Sequence, residues 1–529
     1  MKEVITFLFI FITVFTVYGQ DASEWENHLK TKTLGEYYKS CLEKKTNTEP
    51  WLIYASEFKN PLTIRIDKIH NPAELPWINT AWGVMEMKTG MIPERNVRKV
   101  SGALLEFWKN PDEKHNDLYG MQRFVSERYG IGVGGDLMMA RTRPPQRQQF
   151  SVRYELMKMI CLMHDFQEVL LETSDKYKET VMPGYTHVRQ AQPTTLGHYL
   201  MSVYDPIERS MKMVEDGYNA MSLNELGCGA LAGTSWAIDR DLVSKYLGLE
   251  GLIENTNDAV SYTDGYVLLT AGLANIISII SRMGLEMEFW SGLEYDFMDF
   301  EIGAGSYMMP NKRSNQTYLE NTTVAAAQML GNVTEVVSMG IRIPHGDMQP
   351  IAYNMQSPVL DAIALVNKHI KPFLYHFPGM IVHADKMLEA AREGYSCSTE
   401  LANEIVRRFD IDYRTAHDIV HVFVLSSDKK NIPSREADIN EFQNAAQKIV
   451  GKELKFSQKQ LRTILDPVHF VEVTNSQGGV SPSEVGRMIE DRWQKLEQAR
   501  ELHLNRIEKL EQGKTLMIAD LKELYERSK

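Results

Sequence analysis

No proline interrupts the chain between Pro206 and Pro310. Within that stretch, residues 265–281 carry no charged side chain, and Leu269, Leu273, Ile276, Ile277 and Ile280 recur at helical spacing. Gly272, Asn275, Ser278 and Ser281 punctuate the run, which falls just short of the ~20 residues that cross a bilayer. The pattern therefore predicts a helix buried on nearly all sides of a large bundle rather than a membrane span. Residues 154–172, 196–213 and 321–341 read as further core helices, the second with a kink expected at Pro206. Strand-like alternation is scarce, so the fold class is all-α.

At 529 residues the chain is long enough for several domains with large cores. Residues 1–20 read as a signal peptide: Lys2 precedes the apolar run 4–17, and Gly19 stands at a plausible cleavage point. Export to the periplasm or outside the cell is the expectation, with no membrane attachment once the signal is removed. A formal net charge of −12 argues against nucleic acid or anionic membrane as a partner. An anionic small-molecule substrate then needs locally concentrated cations, and Arg141, Arg143, Arg147, Lys312 and Arg313 are candidates. Cys41, Cys161, Cys228 and Cys397 are scattered without metal-ligand spacing, and buried free thiols are the expected state. No residue cluster implies a metal or an organic cofactor. Residues 483–529 are charged and helical in pattern, with Leu496, Leu502, Ile507, Leu510 and Leu516, which reads as a solvated or subunit-bracing helix. Ser481 and Pro482 mark its start as cap and first helical residue.

Four segments carry chemistry. Gly305-Ser-Tyr-Met-Met-Pro-Asn-Lys-Arg-Ser-Asn315 sets Ser306 beside Lys312 and Arg313 in a glycine-hinged loop. Fixed positive charge there suits proton abstraction next to a carboxylate, because cations stabilise the resulting anion. Met182-Pro-Gly-Tyr-Thr-His-Val-Arg-Gln-Ala-Gln-Pro193 supplies Thr186 and His187. Asn255-Thr-Asn-Asp-Ala-Val-Ser261 places polar groups ahead of the apolar helix, as a cap does. Cys228-Gly-Ala-Leu-Ala-Gly-Thr-Ser-Trp-Ala-Ile-Asp-Arg240 adds small residues that permit close backbone approach.

In this order and at these separations, the segments resemble the argininosuccinate lyase branch of the aspartase/fumarase superfamily, over roughly residues 75 to 490. The resemblance implies a three-domain, fumarase/aspartase-like protomer with a central long-helix bundle. Its parts are expected at residues 21–139, 140–384 and 385–529, the last with an extra C-terminal helix. It also implies a homotetramer with active sites built from several subunits. The implied reaction is β-elimination from an N-substituted succinate, releasing fumarate and an amine or guanidine. Ser306 aligns with the family's base, Lys312 with a carboxylate-binding lysine, Thr186 with a carboxylate-binding hydroxyl, and His187 with a histidine of proton transfer. Arg141, Thr142, Arg143, Asn255, Asn315, Tyr353 and Gln356 fall at substrate-binding positions.

The departures bear on specificity. Where the family carries Arg-Ser-Arg-Asn-Asp-Gln, this chain has Arg141-Thr-Arg-Pro-Pro-Gln146, so an asparagine has become Pro144. Tyr119 stands at a histidine position and Tyr307 at the second serine of the signature. The loop asparagine of the family falls at Ser314, one step before Asn315, and Tyr353-Asn-Met-Gln356 is two residues shorter than the family's segment. The elimination machinery is thus largely kept and the substrate-reading groups are altered. A second expectation follows from these losses, a family member that keeps the fold as a binding or structural protein.

Overall fold

The structure, a computed structural model, describes residues 60–528 apart from 71–73, 142–144, 301–307, 310–314, 349 and 351–353, together with Glu36. The signal-peptide reading of residues 1–20 lies outside the described residues.

The N-terminal part is built mainly on α1 (Pro61–His70), α2 (Glu74–Lys88), α3 (Glu94–Lys109) and α4 (Gly120–Tyr129), with a further single turn at Ile131–Gly134. Helix α3 shows the amphipathic logic, since Val97, Val100, Leu104 and Phe107 form its buried stripe at steps of three and four. Helix α2 is buried almost all round, with Trp77 and Trp82 among the largest buried side chains.

The central part is a bundle of long helices: α5 (Pro145–Lys176), α6 (Leu196–Met221), α9 (Asp264–Ser291), α10 (Thr317–Gly340) and α11 (Gln356–His376). Between α5 and α6 runs an antiparallel hairpin, β1 (Val181–Thr186) and β2 (Arg189–Thr195). Between α6 and α9 lie β3 (Leu223–Asn224), α7 (Arg240–Tyr246), β4 (Gly251–Leu252) and α8 (Thr256–Ser261), with β3 and β4 paired in parallel. After α9, β5 (Met298–Phe300) pairs antiparallel with β6 (Met380–Val382).

Helix α9 contains the apolar run read from the sequence, and Leu269, Leu273, Ile276, Ile277 and Ile280 are buried as the spacing predicts. Its burial is one-sided further along, where Leu285 and Phe289 are exposed. Helix α6 continues on both sides of Pro206 to Met221. It packs antiparallel to α9: Gly217 meets Leu269, Asn275 Nδ2 donates to Ser210 Oγ at 2.8 Å, and Tyr199 packs on Trp290. A Cβ on Gly217 would stand 2.9 Å from Leu269 Cα, so close approach of the two helices requires glycine.

The C-terminal part has its own hydrophobic cluster, built from α13 (Ser398–Phe409), α14 (Tyr413–Lys429), α15 (Ile439–Val450), α16 (Gln458–Ile464) and α17 (Pro467–Val473), with α12 (Ala384–Glu393) alongside. The last helix, α18 (Pro482–Arg527), starts at Ser481 as predicted, with the Ser481 side chain accepting from Glu484 N. Its role differs from the sequence reading. Leu496, Ile507, Leu510, Met517, Leu521 and Leu524 join the core of the N-terminal and central helices. Arg65 makes two bonds to Glu511, and Lys514 Nζ donates to Ile69 O at 2.6 Å. The alternation of charge along α18 hid this, because only one narrow stripe of a 46-residue helix is apolar. Cys161, Cys228 and Cys397 are buried free thiols, as expected.

Candidate active site

The sequence-predicted site residues separate into two groups at opposite ends of the bundle. Helix α5 runs from the first end to the second, α6 returns, α9 repeats the outward path and α10 the return. At the second end, Leu196 N donates to Thr180 O and Gly197 N to Tyr177 O, which closes the β1–β2 hairpin onto the end of α5. With 26 residues in α6 at ~1.5 Å each, the two ends stand roughly 39 Å apart.

The hairpin end carries Thr186 and His187. Thr186 closes the hairpin opposite Arg189, leaving His187 and Val188 as a two-residue turn. Both adopt left-handed backbone, at φ 52° and 61°. Turns of this hand favour Asn-Gly, so His-Val is an unusual and strained occupant. Gly184 sits at the irregular register in β1, where a Cβ would meet Gln192 O at 2.5 Å. The hairpin is braced on the C-terminal part: Gln190 Nε2 donates to Ala390 O at 2.6 Å and Gln192 Nε2 to Thr399 Oγ1 at 3.0 Å. Burial pushes the Tyr185 phenol up to about 12, so it stays protonated beside Thr186.

Ser306 and Lys312 lie outside the described residues, but both flanks of their segment are at this same end. Upstream, β5 follows Tyr295, whose ring packs on Tyr185 with centroids 6.3 Å apart. Downstream, Asn315 is half-buried just before α10, and Tyr318 stacks on His376 at 4.2 Å, with Phe300 against both rings. The N-terminus of α10, with its outward N–H groups and positive dipole end, faces this end too.

The opposite end carries Arg141, Asn255 and Gln356; Thr142, Arg143 and Tyr353 lie outside the described residues. Arg141 Nη1 donates to Asn79 Oδ1 at 2.6 Å, while Nε and Nη2 are buried with no partner among the described residues. Asn79 Nδ2 in turn donates to Leu118 O at 3.0 Å, which ties Arg141 to the turn bearing exposed Tyr119. Two buried carboxyls share the neighbourhood. Burial pushes Glu86 up to about 8, against the pull of Met138 N, Met139 N, Arg141 and Trp82. Burial also raises Glu225, opposed by Arg141 and Arg240, and Gln149 Nε2 donates to Glu225 Oε2 at 3.2 Å. Burial in turn brings the Arg141 guanidinium down to about 10, still cationic at neutral pH. Sequence reasoning missed Glu86, Gln149 and Glu225, because nothing in the local pattern separates a buried glutamate from a solvated one.

Asn255 caps, but not the long apolar helix: its Oδ1 accepts from Asn257 N at 2.9 Å and Asp258 N at 3.1 Å at the start of the short α8. Capping commits the oxygen, and on this exposed residue the amide Nδ2 remains a donor suited to a carboxylate. Gln356 is the first residue of α11 and half-buried. Among the described residues no group of three or more His, Cys, Asp or Glu is placed to hold a metal.

A "Lyase" family model matches residues 148–331, and an "Argininosuccinate lyase C-terminal" model matches residues 395–472. Argininosuccinate lyase of Methanococcus maripaludis is 30% identical over 423 residues, covering 77% of this chain and 85% of that protein. The chain belongs to the argininosuccinate lyase family. The Methanosarcina barkeri argininosuccinate lyase is 26% identical over 437 residues, covering 79% of this chain and 86% of the relative. Among solved structures, EDDS lyase superposes with a TM-score of 0.77 at 24% identity, over 90% of this chain and 98% of that one. This likeness establishes the all-α fumarate-lyase fold, so the fold class expected from the sequence holds.

Proposed function

We propose that this chain is a carbon–nitrogen lyase that eliminates an amine or guanidine from an N-substituted succinate and releases fumarate, acting as a homotetramer with active sites shared between subunits. The supporting observation is the split just described. Thr186, His187 and the flanks of the Ser306–Lys312 segment stand at one end of the bundle, and Arg141, Asn255 and Gln356 stand at the other. One copy therefore does not gather the set in one place, and a neighbour packed antiparallel along the bundle brings the two ends together. A surface for that neighbour exists on α9 and α10, where Phe289 is 59% exposed, Val324 53% and Leu330 67%.

In this reading Ser306, as its alkoxide, takes the proton from the carbon next to one carboxylate. That carboxylate becomes a dianionic aci-carboxylate, which Lys312 and the N-terminus of α10 stabilise. Thr186 binds a carboxylate, His187 handles the proton delivered to the leaving nitrogen, and Asn255 Nδ2 with Arg141 engages the far side of the substrate. Pro144, Tyr119 and Tyr307 alter substrate-reading positions, and the shortened segment 353–356 alters the end that would hold the leaving group, so the favoured substrate differs from argininosuccinate. Residues 1–20 act as an export signal, which places the reaction outside the cytoplasm.

The test is a fumarate-release screen, read by ultraviolet absorbance, across succinyl-amines and succinyl-guanidines. At least one compound gives fumarate, and Ser306→Ala abolishes the signal with the fold intact. Full activity in Ser306→Ala sinks the assigned base. Silence of the wild type across the panel favours the binding-protein reading instead.

A further inference from the structure

Arg240 directs its guanidinium at four backbone carbonyls. Nε donates to Leu226 O at 2.7 Å, Nη1 to Glu254 O at 3.2 Å, and Nη2 to Asn224 O at 3.1 Å and Ile253 O at 2.8 Å. These acceptors lie on two segments with different destinations. Asn224 and Leu226 lead into the small-residue loop 227–234, and Ile253 and Glu254 lead directly into Asn255.

The arginine is itself fixed. Its backbone opens α7, where Asp239 caps by accepting from Leu242 N at 2.8 Å, and Asn224 Nδ2 returns a bond to Arg240 O at 3.0 Å. The two segments are also joined by the parallel pair β3–β4, only two residues long on each side, and by the backbone bonds of Ile253 N to Asn224 O and Glu250 N to Ser222 O. The loop needs such support. Gly227, Gly229 and Gly233 all have positive φ, and Gly233 N donates to Cys228 O at 2.8 Å as the loop's own turn. The loop lies against α8, since a Cβ on Gly233 would sit 3.7 Å from Thr256 Cγ2.

We infer that Arg240 is a positioning residue of the substrate site, holding the loop 227–234 and the Asn255 amide as two walls of one cleft. The inference rests on the lyase reading above. A planar guanidinium reaches acceptors in several directions at once, and a lysine ammonium on a flexible stem does not reproduce that geometry. With the clamp in place, the Asn255 Nδ2 donor meets a substrate carboxylate at a preset distance. Without it, both walls move and binding weakens, while the proton-transferring groups at the other end of the bundle stay where they are.

The experiment measures kcat and KM for fumarate release in the wild type, Arg240→Ala and Arg240→Lys, using the best substrate of the screen. For Arg240→Ala, KM rises tenfold or more with kcat within threefold, and millimolar ethylguanidinium brings KM back toward the wild-type value. For Arg240→Lys, which keeps the charge and carries the test by itself if Arg240→Ala fails to fold, KM rises at least threefold. Loss of binding alone is the signature of an interaction made equally in ground and transition states. An active wild type with unmoved KM in both variants, whatever their melting temperatures, overturns the inference alone. A wild type silent toward every succinyl compound overturns the lyase reading and this inference with it.

Discussion

Val188→Gly is expected to stabilise the hairpin while loosening the histidine it presents. Val188 is 87% exposed, so removing its side chain costs almost no burial. It holds φ 61° beside His187 at φ 52°, a left-handed pair that costs a branched residue ~1–2 kcal/mol at Val188. Glycine relieves that strain but adds back ~0.4–1 kcal/mol through the freedom it gives the unfolded chain. The net gain is ~0.5–1 kcal/mol, and each 1.4 kcal/mol is a tenfold change in an equilibrium, so local opening becomes roughly two- to fivefold rarer. A melting temperature for a chain of this size does not resolve such a change. Hydrogen exchange does: amides of residues 181–195 slow by that factor in Val188→Gly, with other peptides unmoved. Under the proposed function, turnover falls at the same time, because glycine lets His187 leave the orientation that the strained turn imposes. Faster exchange in the hairpin would show that the turn is not strained at all.

Acid weakens the fold through buried neutral histidines. Burial lowers His70 and His503 to about 3 and His369 and His376 to about 4, and it lowers His164 as well. The unfolded chain, with histidines near 6.5, takes up more protons below that pH, so the stability is present above ~6.5 and drains away as pH falls, by about 2 kcal/mol per group down to pH 5. Glu86, Glu225 and Glu288, whose folded pKa values are raised by burial, work in the opposite sense and offset part of this loss. The melting temperature therefore drops between pH 6.5 and 5; a flat profile across that window contradicts the burial. If the proposed homotetramer forms through this face, Leu330→Glu, placing a charge on the exposed side of α10, leaves the monomer fold intact and gives smaller species than the wild type by light scattering.

The bundle was legible because its periodicity is strong. Leu269 to Ile280 alternate at helical steps, and Ser481-Pro482 announces the start of α18 in the local chemistry of caps. The path of α18 was not legible, since burial of a single stripe among many charges is decided by partners such as Arg65 and Ile69, far away in sequence. At the candidate site, the motif residues could be named from the sequence, and their division between two bundle ends could not. That division depends on helix direction, which no motif encodes. The network of Asn79, Glu86, Arg141 and Glu225 was invisible for a related reason. Its members are separated by long stretches of chain and look polar and ordinary one at a time.

The position of α18 also fixes the order in which this protein can be finished. The N-terminal helices lack part of their cover until residues 482–528 arrive, because Lys514 caps the end of α1 and lies over the rings of Trp77 and Trp108. During synthesis those aromatic surfaces therefore lack this cover until residues 482–528 emerge. The N-terminal helices thus reach their finished packing only after α18 is made, and apolar surface left open in that interval is aggregation-prone.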